Sequence, residues 1–514
     1  MNRCCRLFHF SLCWLLILCL LAGCGRPSSG AHYESQPDPE LSYRDSVNLL
    51  FCNTDSLNPY TLTTEVNFEL CQLLYEPLYR VDSDFSAVNA LSLSSERDGK
   101  VWTITLKDAL FSDGSPVTAE DVLYSYRLAA ELPRYSTGFS KVSSISGQGK
   151  TVVFTLAGVD PYFSSLLTFP VLKQDSDNRR DEDGVALPPI GCGRFSLNEN
   201  HDGLEQNPHY YGQPGTITRV SLIDTPDSES VSHYVEVGAT DFYYAADTNR
   251  SVHRMSGKKA AVLQNELVYL AVNAARPILS DARMRYAVSS CLDRDKITQG
   301  AYFGNAVSAT GPFHPNFRQV ANFQTIETSA NLQIAIENLR EMGYNSTDGS
   351  PYLSKNGSTL HLELLINSEN ASRKAAASLM VSQFKEAGIE LTVRSLPFAD
   401  YQAALQAGEF DLCLCETRID NNFDLSPLVL PGGSAAYGVV PAAEGEADLS
   451  AILQQYADGE LDIRNVVSAV ESVLPFIPVC YRSGVLFYSE KANDITGLTE
   501  SNLFSQIGDW KITT

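Results

Sequence analysis

Basic side chains are scarce in this 514-residue chain: 38 Lys and Arg stand against 61 Asp and Glu, a formal charge of −23. Such a balance repels phosphate backbones and anionic lipid surfaces, which argues against nucleic acid as a partner and against charge-driven membrane docking. Catalytic signatures are missing too. There is no G-x-S-x-G turn, no H-E-x-x-H pair and no Cys–His motif, so no nucleophile stands with its base and no enzyme activity is expected. The stretch Ser144–Thr151 ends like a phosphate-binding loop, but Ser144 occupies the first glycine's place and the strand pattern TVVFTL follows where a helix would have to start. The acidic run Asp175–Asp183 lacks the spacing of a calcium loop and is interrupted by Arg179-Arg180. Beyond the first 23 residues, His32, His201, His209, His233, His253, His314 and His361 form no i,i+4 or H-x-H cluster; no metal site and no cofactor are expected.

One long apolar run is present, at the N-terminus. Arg3 and Arg6 precede an apolar stretch from Phe8 to Leu21, and Ala22-Gly23 lead into Cys24. This reads as a secretory signal over residues 1–23, too short to span a bilayer comfortably. Leu21-Ala22-Gly23-Cys24 resembles the lipobox of bacterial lipoproteins, which implies cleavage before Cys24 and a lipid on its sulfur. Loss of Arg3 and Arg6 would take the charge from −23 to −25. Residues 24–45 are rich in Ser, Pro and Gly and too poor in apolar groups to fold. They read as a flexible tether, whose roughly 20 residues give an end-to-end distance of about 25 Å. The remaining chain, in a sequence that is 44% hydrophobic, is long enough for two or three domains. Seven cysteines lie in it: Cys52, Cys71, Cys192, Cys291, Cys413, Cys415 and Cys480. The odd count leaves at least one outside any intrachain pair, and buried free thiols are the expectation for the set.

The most informative stretch runs from Leu73 to Glu131. Trp102, Ile104 and Leu106 alternate with Val101, Thr103 and Thr105, the period of two of a half-buried strand. Ser112-Asp113-Gly114-Ser115-Pro116 then supplies a turn. Thr118 and Asp121 have the spacing of a capping box for a helix that carries Val122, Tyr126 and Ala129 on one face.

In order, Glu76, Asp98-Gly99, Trp102, Leu106 and the run Phe111–Val122 resemble the hallmark of the extracellular solute-binding proteins of family 5, the peptide- and nickel-binding subunits of ABC importers. Gly191-Cys192-Gly193-Arg194-Phe195 resembles the family's G-T-G-P-Y, with Cys for Thr and Arg for Pro; the two glycines are expected to allow a bend. Asn207–Tyr211, Gly238–Phe242 and the run from Leu267 to Ile297 continue the match, which is weak over 421–461. The resemblance implies an α/β, two-lobed periplasmic-binding-protein-like fold (type II, cluster C) with an extra subdomain in the first lobe. Lobe I would comprise 46–77, 188–266 and 478–514; the extra subdomain 78–187; lobe II 267–477. Alternating strand and helix patterns from Thr359 to Thr417 independently suggest a mostly parallel sheet. Segments near Glu266–Leu270 and Pro478–Arg482 would cross between the lobes.

The same resemblance implies capture of a short peptide between the lobes and delivery to ABC permease subunits, by a monomer held at the outer face of the cell membrane through its lipid. It also admits a nickel-chelate or haem binder and a peptide pheromone receptor. Thr63, Thr64 and Glu65 fall where family members contact ligand through the backbone. Asp420, just after EFDLCLCET, falls where an aspartate holds the peptide's ammonium in the peptide-binding members. The tryptophan those members often carry before it is absent here, and Asp424 is the nearby substitute.

Overall fold

The computed structural model describes residues 42–514 apart from 185, 226–227, 249–256, 324 and 348. The expected signal, Cys24, the tether as far as residue 41, His32 and His253 lie outside the described residues. The expected tether ends earlier than residue 45, because Tyr43–Arg44 pairs antiparallel with Ile512–Thr513.

The alternation read around Trp102 forms the second strand of a four-stranded antiparallel sheet, in the order Ser92–Asp98, Val101–Leu106, Thr151–Leu156, Val142–Gln148. Trp102, Ile104 and Leu106 are buried, as the period of two requires. Gly114 takes φ +81° in the turn that follows, a conformation costly for any residue with a Cβ. The helix Ala119–Ala130 starts where Thr118 gives its amide and hydroxyl to Asp121 at 2.9 and 2.7 Å. The other Asp121 oxygen accepts from the Gln174 amide at 2.8 Å, so the cap also fixes a distant loop.

One large mixed sheet carries both lobes. Its strand order is Glu390–Leu396, His361–Asn367, Leu412–Arg418, Lys258–Val272, Phe476–Tyr488, Phe242–Ala245, Ser46–Phe51, Arg219–Asp224, Gly203–Gln206, Phe195–Leu197. The three strands read between Thr359 and Thr417 are parallel as expected, and so are the pairings of Ser46–Phe51 with its two neighbours. The long strands Lys258–Val272 and Phe476–Tyr488 are antiparallel to each other and belong to both lobes. They contain the expected crossing segments, and the lobe boundaries drawn at 266/267 and 477/478 fall inside them. The pairing register of the first shifts between Leu263 and Glu266, which bulges Gln264 and Asn265 out of the ladder at the crossing.

Leu412 and Leu414 pack into one hydrophobic cluster of the second lobe while Cys413 and Cys415 pack into the cluster on the opposite face. Covered on both faces, this central strand buries all four residues from Leu412 to Cys415, yet keeps the alternation that places both sulfurs together. The subdomain sheet shares its core with the first lobe. Val81 and Phe85, inside the expected extra subdomain, pack instead with Phe317 and Phe423 of the second lobe. All seven cysteines are free and buried.

The expected bend stands at Gly193-Arg194, but neither Gly191 nor Gly193 takes a positive φ in it, so conformational freedom is not the whole reason for the two glycines. A Cβ on Gly191 would lie 2.1 Å from the Leu74 carbonyl oxygen, and one on Gly193 would lie 2.3 Å from that of Leu73. Close approach to the end of the helix Glu65–Leu74 is what excludes a side chain.

Candidate functional site

The helix Glu65–Leu74 in lobe I, the short helix Pro133–Phe139 in the subdomain, the bulge at Gln264–Asn265, the segment Thr417–Asn422 and the 3-10 turn Glu500–Asn502 enclose a cavity of about 940 Å³. This lies near the top of the range of roughly 300–1,000 Å³ typical of small-ligand sites.

Asp420 is held there by its backbone. The Ile419 amide donates to the Asn265 carbonyl at 2.9 Å and the Phe423 amide donates to the Asp420 carbonyl at 2.8 Å. The residues just beyond are tied to the subdomain: Ser165 Oγ donates to the Asn421 carbonyl at 2.6 Å, Asn422 Nδ2 to Asp160 at 2.7 Å, and Lys141 Nζ pairs with Asp424. The Asp420 carboxylate itself accepts from no side chain or amide among the described residues, and it lines the cavity half-buried. Burial, with the Asp424 and Asp160 carboxylates nearby, raises its pKa against the opposing pull of Arg418. Asp424 shows the contrast: burial pushes it up, but Lys141 and the Ser426 contacts outweigh that and hold it below the ordinary value. Asp424 is therefore committed within the protein, and Asp420 is not.

Of the other three residues expected at the site, Glu65 lines the cavity and pairs with Arg134 at 3.0 Å. Thr63 and Thr64 do not line it. Their amides donate to the Asp55 carboxylate at 2.9 and 2.7 Å, and the Thr64 hydroxyl at 2.7 Å, so these backbone groups are used inside the protein. The cavity thus brings together Asp420 and Glu65 and leaves the two threonines outside.

Several groups in the walls were not anticipated. Arg418 pairs with Glu266 at 2.9 Å and with Glu500, Arg482 pairs with Asp247 at 2.7 Å and with Glu416 at 2.5 Å, and Arg80 pairs with Glu76 at 2.6 Å. Glu69 lines the cavity with no ion pair among the described residues. Burial, and secondly the Glu65 carboxylate, push its pKa well up. On the bulge, Gln264 is 3% and Asn265 4% exposed. Gln264 Nε2 donates to the Tyr244 hydroxyl, the Ala246 carbonyl and Glu500, but its Oε1 and both amide atoms of Asn265 have no partner among the described residues. The available signal was the polar run Gln264-Asn265-Glu266 interrupting the otherwise apolar strand AAVLQNELVYLAV.

The model of the bacterial extracellular solute-binding proteins, family 5 (middle part), matches residues 86–437. The chain is 22% identical over 462 residues to the nickel-binding periplasmic protein of Escherichia coli (strain K12), covering 84% of this chain and 88% of that one. It is 24% identical over 415 residues to the oligopeptide-binding protein AppA of Bacillus subtilis (strain 168), covering 75% of each. Its fold is similar to that of an ABC transporter substrate-binding protein from Sinorhizobium meliloti, with a TM-score of 0.72 at 19% identity, over 89% of this chain and 98% of the other. The periplasmic murein tripeptide binding protein MppA, in an unliganded open form, gives a TM-score of 0.72 at 17% identity over 88% and 94%.

Proposed function

We propose, from the premise that this chain belongs to the bacterial extracellular solute-binding proteins of family 5, that it captures short peptides between its two lobes and hands them to a membrane permease of an ABC importer. The observation that carries the reading is the uncommitted carboxylate of Asp420, half-buried in a cavity that both lobes line. An ammonium entering such a space loses hydration, and a fixed carboxylate offsets that loss through a charge-assisted hydrogen bond. Glu65 lines the same cavity, paired with Arg134. The two long crossing strands supply the connection about which lobes of this kind close on a ligand. The protein works as a monomer, anchored outside the cytoplasm by a lipid on Cys24; Cys24→Ser should abolish incorporation of labelled lipid, and unchanged labelling would remove the anchor.

Native mass spectrometry of freshly purified protein tests the ligand class. One bound species per chain with a peptide's fragmentation pattern is expected. A metal chelate or a haem in its place would overturn the peptide reading.

A further inference from the structure

We infer that the cavity selects cationic peptides, with Asn265 receiving a main-chain amide of the ligand and Glu69 receiving a positively charged ligand side chain. This inference rests on the peptide reading above, with the ligand's ammonium on Asp420.

The charge inventory of the walls comes first. Five cationic side chains line the cavity, and each is already in an ion pair: Arg80 with Glu76, Arg134 with Glu65, Lys141 with Asp424, Arg418 with Glu266 and Glu500, Arg482 with Asp247 and Glu416. Two lining carboxylates, Glu69 and Asp420, have no cation within ion-pair distance among the described residues. Arg134 attracts Glu69 through space, but its guanidinium is engaged by Glu65 and stacked 3.5 Å over the Phe68 ring. A ligand that brings positive charge therefore completes the balance, while an acidic one finds no free cation and adds repulsion.

The second observation is independent of charge. Asn265 is almost wholly buried at the crossing bulge, lines the cavity, and finds no partner for Oδ1 or Nδ2 among the described residues. A buried amide with both atoms orphaned is costly unless a partner arrives. One acceptor beside one donor match the N–H and C=O of a peptide bond, and the orphaned Oε1 of Gln264 adds a further acceptor next to it. The wall is continuous: Asn265 receives the Ile419 amide beside Asp420, Gln264 holds Glu500, and the Glu500 carboxylate acts in turn on Glu69. Ligand ammonium, amide and basic side chain would thus meet Asp420, Asn265 and Glu69 along one surface.

Selection by Glu69 has its own signature. Burial holds its proton on more tightly than usual, and an incoming cation reverses that preference, so a basic peptide expels a proton that a neutral peptide does not. Calorimetry with Ala-Ala-Ala-amide, Ala-Lys-Ala-amide and Ala-Glu-Ala-amide, in two buffers of different ionisation enthalpy, reads both effects. The lysine peptide is expected to bind at least tenfold more tightly than the alanine peptide and to release up to about one proton. The glutamate peptide is expected to bind most weakly. Glu69→Gln should remove both the preference and the proton, and an unchanged circular dichroism spectrum and thermal midpoint show that the variant is folded. Asn265→Ala should weaken all three peptides by a similar factor, about tenfold. Equal affinity for the three peptides, or a lysine preference that survives Glu69→Gln, overturns the selectivity alone. Heat from none of them overturns the peptide reading and the selectivity with it.

Discussion

Replacing Asp420 by Asn removes the one charge on which ligand capture is argued to turn while keeping the side chain's shape. A hydrogen bond to a charged group contributes about 1.5–3 kcal/mol, and breaking a fully buried charge pair costs about 3–5 kcal/mol. Asp420 is half-buried in the ligand-free protein, so the cost should fall between the two, at about 2–4 kcal/mol, or roughly 30- to 1,000-fold in Kd. Acetylating the peptide's N-terminus removes the other partner and should cost a similar amount. The two changes should not add: once one partner is gone, removing the second has little left to break. Fold stability gives the internal control. A folded-state pKa raised above the ordinary value means that ionised Asp420 favours the unfolded chain near neutral pH, so Asp420→Asn should leave the thermal midpoint unchanged or raise it. Calorimetry on a tripeptide with and without acetylation, in both proteins, completes the cycle. Affinities within twofold of the starting value for both single changes would refute the anchor.

Peptide affinity should fall as pH drops from 7 towards 4, because protonation of Asp420, whose pKa is raised by burial, removes the ammonium's partner; titrations across that range check it. Gly193→Ala should destabilise the protein by about 3 kcal/mol, since its Cβ would meet the Leu73 carbonyl oxygen at 2.3 Å and backbone must move; urea unfolding measures this. In a chain beginning at Tyr43, thiol titration with a disulfide reagent should count almost none of the seven cysteines in the native state and all seven in guanidinium. Burial also pushes the thiol pKa values of Cys71, Cys192, Cys291 and Cys480 up, which leaves little reactive thiolate.

What was legible in the sequence was local. The alternation at Trp102, the turn at Gly114 and the cap at Thr118 and Asp121 depend on residues a few positions apart, and all three stand in the structure. The resemblance extended this to the two-lobed fold and the crossing strands, because a long spaced motif reflects a whole chain path. It could not say which groups are already used. Thr63 and Thr64 stand at the expected place in the chain, but Asp55 takes their amides. The expected bend stands beside Gly193, but the close approach of Gly191 and Gly193 to the helix end, which excludes a side chain there, was not legible. The pairing of Arg418 with Glu500 and the bulge that isolates Asn265 depend on strands distant in sequence and on their register, which no period in either strand encodes.

Whether a peptide lies in this cavity with its ammonium on Asp420 is decided by a crystal structure of the protein with a bound tripeptide. The ammonium nitrogen is expected at hydrogen-bond distance from the Asp420 carboxylate, with a ligand main-chain amide on the Asn265 side chain. A peptide seated outside the cavity, or inside it with its ammonium on a different group and Asp420 still without a partner, would contradict it.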